Sequence, residues 1–274
     1  AILGSMASGI SKISNYSPGK DCLSTLNCLR SLGVRIIHKA SVVHVHGVGI
    51  SGFKEAEDVL DAGNSGTTMR LLSGVLAAQP FLSVISGDAS LRARPMKRLI
   101  TPLQLMGAEI YGRNDNSLAP LVIKGKKLHG ITYSMPVPSA QIKSAVLLAG
   151  LFASGETTIE QKEISRDHTE RLLKQMGANI EVGSSYVSVT PVVKPLNPLN
   201  LFVPGDISSA AYWLVAGAIH PNARIKIVNC GINPTRTGII DVLLAMGARI
   251  KVENQRLECN EPVADLYVES SELK

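Results

Sequence analysis

The sequence contains few aromatic residues, few cysteines and no long apolar run. Phe, Trp and Tyr make up 4% of the 274 residues, which disfavours the stacking platforms that bind single-stranded nucleic acid. The four cysteines include no CxxC pair, so they predict a reducing, cytoplasmic environment rather than a disulfide framework. No apolar stretch approaches the ~20 residues of a membrane span. We therefore expect neither a nucleic acid nor a membrane as partner.

The charge balance is mildly basic, with 28 Lys and Arg against 22 Asp and Glu, a formal net charge of +6. A soluble protein of ordinary composition is the simplest interpretation, and RNA binding is the alternative. Most basic residues are spread out, but four lie within 92–98. A small anionic substrate would explain this cluster as well as RNA would.

A pattern recurs about every 70 residues along the chain. The strings SLGVRI, LMGAEI, QMGANI and AMGARI each follow a helix with apolar periodicity. Their glycines are placed to end these helices in a left-handed turn, and a strand follows. Each copy begins with a helix rich in small residues and a short strand, and the helix that ends at the glycine comes after them. This alternation predicts an α/β architecture of repeated units, with closely packed inner helices.

The segment 191–204 contains four of the fourteen prolines and predicts a hinge or linker. Three copies precede it and one follows, and the first copy begins inside its own first helix. We therefore expect residues 1–203 to form a first domain of three repeats, incomplete at its start. Residues 204–274 would be the first repeat of a second domain, in a chain shorter than the complete protein.

Three helix starts are suited to anions: AGNSGTTMR, PVPSAQIKSA and VPGDISSAA. Small polar residues leave backbone N–H groups free there, and the helix dipole favours negative charge. Arg70, Gln141 and Lys143 add polar and positive side chains to these starts. Ordinary N-capping is the alternative for each start taken alone.

The loops before the second helices each contain arginine, whose planar fork suits phosphate and carboxylate. The arginines are Arg92, Arg94, Arg166 and Arg236. Surface ion pairing is the alternative explanation. These loops recur beside the helix starts that are suited to anions. A substrate with several anionic groups therefore explains the arginines equally well.

Two other patterns are weak. Ser65 lies in a tight turn like that of a nucleophilic serine, but the GxSxG motif is missing and the other copies have no equivalent nucleophile. His44 and His46 share one face of a predicted strand, with no third ligand evident for zinc.

Several motifs together resemble the 5-enolpyruvylshikimate-3-phosphate synthase family along the whole chain. They are GNSGTTMRLLSG, GDASLRARPM, PSAQIKSAVLLAGL, SRDHTERLL and PGDISSAAYWLVAGAI. The resemblance implies an inside-out α/β barrel of mixed α/β (α+β) class, in which six βαβαββ units surround two pseudo-threefold axes. UDP-N-acetylglucosamine enolpyruvyl transferase shares that fold, but its cysteine loop has no counterpart in GDASLRARP. RNA 3′-phosphate cyclase shares the repeat without these motifs.

The resemblance also implies a reaction. The enolpyruvyl group of phosphoenolpyruvate moves to the 5-hydroxyl of shikimate 3-phosphate by addition and elimination, and phosphate leaves. The family is expected to need no metal or cofactor and to act as a monomer when complete. Acid and base residues are expected outside 1–274, so none is assigned here. The alternative is a ligand-binding chain without catalysis of its own.

The resemblance assigns eight substrate-binding residues. Around phosphoenolpyruvate it places Asn64, Gly66 and Arg94, with Arg70 as a supporting charge. Around shikimate 3-phosphate it places Ser139, Ala140, Gln141 and Arg166, with Gln141 between both ligands. Many relatives have two serines before the glutamine, so Ala140 removes one hydroxyl contact. Glycine rather than alanine at position 66 implies sensitivity to glyphosate.

Overall fold

A computed structural model describes all residues, 1–274, as four units on one plan. The first unit comprises α1 (Ile2–Ser5), β1 (Ser8–Ser14), α2 (Lys20–Ser31), β2 (Arg35–Lys39) and β3 (Val42–Val48). The second comprises β4 (Leu60–Asp61), α3 (Gly66–Leu76), β5 (Leu82–Ser86), α4 (Ala89–Arg92), α5 (Lys97–Leu105), β6 (Glu109–Gly112), α6 (Arg113–Asn116) and β7 (Leu118–Lys124).

The remaining elements repeat the plan. The third unit comprises β8 (Thr132–Ser134), α7 (Ala140–Gly150), β9 (Thr157–Glu160), α8 (His168–Gln175), β10 (Ile180–Val182) and β11 (Tyr186–Val189). A short strand, β12 (Asn200–Phe202), follows it. The fourth unit comprises α9 (Ile207–Ile219), β13 (Arg224–Gly231), α10 (Gly238–Ala245), β14 (Arg249–Glu258) and β15 (Glu261–Glu269).

Each unit contributes to one sheet; the first three sheets share a four-stranded topology, and the fourth has three strands. The strand orders are β12-β1-β3-β2, β4-β5-β7-β6, β8-β9-β11-β10 and β13-β15-β14. In the first three sheets one parallel pair is followed by two antiparallel pairs. Along most strands, buried residues alternate with more exposed ones, so one sheet face packs on helices. The predicted repeat of βαβαββ units is confirmed, and no sheet closes into a barrel of strands.

Two inner helices, α3 and α7, are buried on nearly all sides. A Cβ atom at Gly74 would lie 2.1 Å from the carbonyl oxygen of Ala145, so only glycine allows this approach. The close packing expected from the small residues is therefore present. The equivalent helix α9 differs, because Tyr212, Trp213 and Ile219 on it are 80%, 62% and 63% exposed. Within residues 1–274, α9 has no neighbouring inner helices of the kind that cover α3 and α7.

Left-handed glycines end the second helix of every unit, as the repeated strings predict. Gly33, Gly107, Gly177 and Gly247 have φ of +84°, +94°, +83° and +91°. In each case the chain turns directly from the helix toward a strand. Positive φ is accessible to glycine at little cost, whereas other residues meet a steric penalty there.

The proline-rich segment 191–204 is packed rather than a free linker, and the expectation of a hinge is corrected accordingly. Its strand β12 pairs in parallel with β1, and Leu196 and Leu199 are 2% and 5% exposed. The strand itself contains no proline, because Pro198 and Pro204 lie on either side of Asn200–Phe202. β12 also occupies the edge position that β4 and β8 fill in the next two sheets.

The buried apolar residues form two clusters, a larger one within 2–199 and a smaller one within 207–268. Polar contacts join the parts of the chain that contain them: His168 Nδ1 lies 2.8 Å from Glu261 Oε1, and Asn233 Nδ2 donates to Asp167 at 2.6 Å. The domain boundary at residue 203 stays a prediction, which the separate clusters support. None of the helices combines the length and the hydropathy of a membrane span.

We predict that Gly247→Ala lowers the free energy of unfolding by about 1–2 kcal/mol, the usual cost of a left-handed conformation for a residue with a Cβ. That Cβ would also lie 3.3 Å from the Glu272 carbonyl oxygen. Gly238→Ala, at the other end of α10, is the matched control because its Cβ meets nothing within 4 Å and its φ is not positive. Urea unfolding followed by circular dichroism measures both variants. Equal effects of the two substitutions would contradict the prediction.

Candidate functional site

The start of α3 shows why Ser65 is not a nucleophile. Ser65 is the N-cap, 3% exposed, and its Oγ accepts a hydrogen bond from the Thr68 backbone N–H at 3.1 Å. A second hydrogen bond joins the two hydroxyl groups at 2.7 Å. The serine is thus committed to capping the helix. The N–H groups of Gly66 and Thr67 lie in the first turn, where no helical acceptor is available.

Two guanidinium groups converge on Gly66. A Cβ at this position would lie 2.6 Å from Nη1 of Arg70 and 3.3 Å from Nη1 of Arg94. Two positive charges, free N–H groups and the positive end of the helix dipole therefore meet at one point. Such an arrangement can bind an anion with more than one negative charge.

Arg94 is held in place by Asn64, which is itself held by an aspartate. Nη2 of Arg94 donates to Asn64 Oδ1 at 2.5 Å, and Asn64 Nδ2 donates to Asp88 Oδ2 at 2.7 Å. Asp88 caps the short helix α4 by accepting from the Leu91 N–H. Hydrogen bonds from Asn64 and from Leu91 hold the pKa of Asp88 below its usual range. The loop predicted here contains a helical turn, which turns Arg94 toward the start of α3.

Gln141 links the two inner helices at their starts. Its Oε1 accepts from Arg70 Nη1 and its Nε2 donates to Thr67 Oγ1, both at 2.8 Å. Burial, followed by the nearby charge of Arg94, lowers the pKa of Arg70. An anion beside these arginines would relieve their mutual repulsion. The sequence predicted Arg70 and Gln141 separately, and their direct contact is new.

A cavity of about 640 Å³ opens beside Gln141. It lies between residues of the third unit and residues of the fourth unit. Ser139, Ala140, Gln141 and Arg166 line one side, and Ser208, Thr235 and Arg236 line the other. The four residues assigned to shikimate 3-phosphate thus share one cavity. Gln141 belongs to it and also contacts Arg70, so the two predicted subsites are adjacent.

The two arginines of this cavity differ in their partners. Arg236 Nη2 lies 2.8 Å from Asp206 Oδ1 and 2.6 Å from Ser208 Oγ, so its charge is paired. Arg166 has no hydrogen bond or ion pair within the protein, and Ser139 at the start of α7 makes no capping hydrogen bond. An arginine and a hydroxyl without partners therefore face the cavity together, as a phosphate-binding pair would.

Two sequence predictions about positive side chains are corrected. Lys143 does not reach the helix start, because it is fully buried and lies 2.5 Å from Glu170. It is two positions after Gln141, and a helix turns through about 200° over two residues. Arg92 donates to the Gly87 carbonyl oxygen at 2.9 Å and so serves the loop rather than a ligand.

Sequence reasoning missed three residues that shape the site: Thr67, Asp88 and Ser208. Asp88 could have been found from its N-cap position before a short apolar-polar turn. Thr67 and Ser208 carry no signal beyond their helix starts. His44 and His46 gain no third ligand, since no three His, Cys, Asp or Glu side chains are grouped closely enough to hold a metal ion.

Comparisons with known proteins give one consistent set of matches. The family model of EPSP synthase (3-phosphoshikimate 1-carboxyvinyltransferase) matches residues 1–272. The 3-phosphoshikimate 1-carboxyvinyltransferase of Bacillus subtilis is 50% identical over 273 residues, and that of Herpetosiphon aurantiacus is 50% identical over 275. The EPSP synthase structure from Acinetobacter baumannii aligns with a TM-score of 0.92 at 44% identity, over 98% of this chain and 62% of that one. The alignments with the Bacillus subtilis and Herpetosiphon aurantiacus proteins cover 100% of this chain. The chain spans 64% of the length of each of these two relatives.

We predict that Gly66→Ala weakens anion binding at the start of α3 with little loss of stability. The added methyl group would displace the Arg70 guanidinium, whose flexible end can move, and so break its bond to Gln141. Titration with inorganic phosphate, followed by the NMR amide signals of residues 66 and 67, should require at least about tenfold more phosphate, or 1.4 kcal/mol. Gly238→Ala is the control, and equal phosphate affinities in both variants would contradict the prediction.

Proposed function

The chain belongs to the EPSP synthase family, and on that premise we propose that it binds the substrates of a 3-phosphoshikimate 1-carboxyvinyltransferase. In the complete protein, the enolpyruvyl group of phosphoenolpyruvate would move to the 5-hydroxyl of shikimate 3-phosphate with release of phosphate. The observation that carries this proposal is Arg166, which faces a cavity of about 640 Å³ without a partner, beside Ser139 and Gln141.

We propose that shikimate 3-phosphate occupies this cavity. Its phosphate would pair with Arg166 and accept a hydrogen bond from the hydroxyl of Ser139, which the helix start leaves uncommitted. Ala140 contributes backbone only, which fits the loss of one hydroxyl contact expected from the sequence. Gln141 would lie against the ring side of the ligand, since its amide is already held by Thr67 and Arg70.

Phosphoenolpyruvate would lie at the start of α3, on the other side of Gln141. Arg94, oriented by Asn64, and Arg70 would pair with its phosphate and carboxylate, and Gly66 would let the ligand approach the backbone. Adjacent subsites hold the hydroxyl and the enol carbon close together, which lowers the entropic cost of their reaction. The arginines would stabilise negative charge as the phosphate leaves.

The same proposal includes the organisation of the complete protein. Residues 1–203 would form the first domain and residues 204–274 the first repeat of the second, and the cleft between them would hold the substrates. The separate apolar clusters support this division. Small molecules would be the only partners of a monomer in the cytoplasm, and no cofactor or metal would be needed.

Arg166→Ala should weaken binding of shikimate 3-phosphate by at least tenfold, about 1.4 kcal/mol, because a charge-assisted contact is lost. Arg94→Ala should change it much less, since Arg94 belongs to the other subsite. Isothermal titration calorimetry of the 274-residue chain measures both. Arg30→Ala, on the outer helix α2, is the control. Equal losses for the first two variants would show that the subsites are wrongly assigned, and no binding by the unmodified chain would overturn the proposal.

The complete protein should be inhibited by glyphosate, and Gly66→Ala should raise the inhibitory concentration by at least about tenfold. The methyl group would crowd the space between Arg70 and Arg94, where the phosphonate would bind. Inhibition assays at matched phosphoenolpyruvate concentrations measure this change. Resistance of the unmodified protein would contradict the prediction.

A further inference from the structure

A buried ion pair lies directly behind the proposed substrate cavity. Lys143 on α7 and Glu170 on α8 have side chains that are 0% and 3% exposed, and Lys143 Nζ lies 2.5 Å from Glu170 Oε1. In each of the other ion pairs both side chains are more exposed than either of these. Burial raises the pKa of the Glu170 carboxyl, and the Lys143 ammonium offsets part of that rise.

Stability alone is a poor explanation for such a pair. Removing two charges from water costs several kcal/mol per ion, and apolar residues of similar volume often replace a buried pair without loss of stability. The second carboxylate oxygen of Glu170, Oε2, receives no hydrogen bond from the protein. The pair is therefore better explained by something it holds in place.

The ammonium of Lys143 makes one further contact, a hydrogen bond to the Ser165 carbonyl oxygen at 3.1 Å. On the other side, Gln161 Oε1 accepts from both the N–H and the hydroxyl of Ser165, each at 3.2 Å. Gln161 is itself 7% exposed. Buried side chains thus fix the carbonyl and the N–H of Ser165, the residue before Arg166.

We propose that Lys143 and Glu170 are positioning residues that hold the Ser165–Arg166 backbone so that the Arg166 guanidinium faces the cavity. This inference rests on the proposed function for its substrate, although the positioning itself can be tested without one. Arg166 has no partner of its own, so its direction depends on the backbone that carries it. Lys143 donates to that backbone, and Glu170 fixes and neutralises the lysine.

The decisive variant is Lys143→Met combined with Glu170→Leu, which replaces the pair by apolar side chains of similar size. Lys143→Met alone would leave an unpaired buried carboxylate and is expected to destabilise the fold. The double variant should recover most of that stability, yet the Ser165 carbonyl still lacks its donor. Recovered stability with impaired positioning is an outcome that a merely structural pair would not produce.

Two measurements on the 274-residue chain test the inference. Hydrogen exchange should be faster across residues 162–167 of the double variant, while the other segments of the core keep their protection. Calorimetry should show shikimate 3-phosphate binding at least about tenfold weaker. Ile123→Ala, a destabilising substitution of a buried residue in β7, controls for general loss of stability and should change neither readout.

The outcomes separate this inference from the proposed function. If the unmodified chain fails to bind shikimate 3-phosphate, the proposed function fails, and hydrogen exchange still tests the positioning. Unchanged exchange in the double variant would overturn the positioning role. Faster exchange with unchanged affinity would overturn its importance for the substrate, as would an equal loss of affinity in Ile123→Ala.

Discussion

Two helices that begin side by side and run in the same direction determine where the functional side chains can lie. Gly74 lets α3 approach the Ala145 carbonyl on α7, and the starts of both helices meet through Thr67 and Gln141. Their dipoles place two partial positive charges together, and Arg70 and Arg94 add two full charges. This repulsion costs stability in the absence of ligand. Under the proposed function, it would also be the source of affinity for a substrate that carries two anionic groups.

The same pairing of a helix start with an arginine in the following loop recurs in different units, with different results. In the third unit, the helix start and the following loop leave Ser139 and Arg166 without partners, facing the cavity. In the fourth unit, Asp206 at the equivalent helix start pairs with Arg236. A single acidic residue therefore converts an open anion site into a closed contact. Shared positions of the repeat maintain packing, and under the proposed function the positions that differ would decide which copy can bind.

Much of this arrangement follows from local signals in the sequence. The glycines that end the second helices, the small residues of α3 and α7 and the polar helix starts each reflect a local backbone requirement, so one chain is enough to predict them. The contacts between units have no such signal. The bond from Arg70 to Gln141 spans 71 residues, and the burial of Lys143 depends on Glu170 in another helix. Apolar periodicity could not reveal that a lysine beside Gln141 points into the core.

The strand β12 has a consequence for how the protein is made. It completes the first sheet by pairing with β1, and Asn15 donates to the Val203 carbonyl oxygen across 188 residues. During synthesis, β1 leaves the ribosome long before its partner exists, so the first sheet keeps an open edge while the second and third units form. Such a late, non-local closure slows folding and exposes a strand edge to other chains. The nascent chain thus depends on a strand that pairs with β1 across 188 residues to protect that edge.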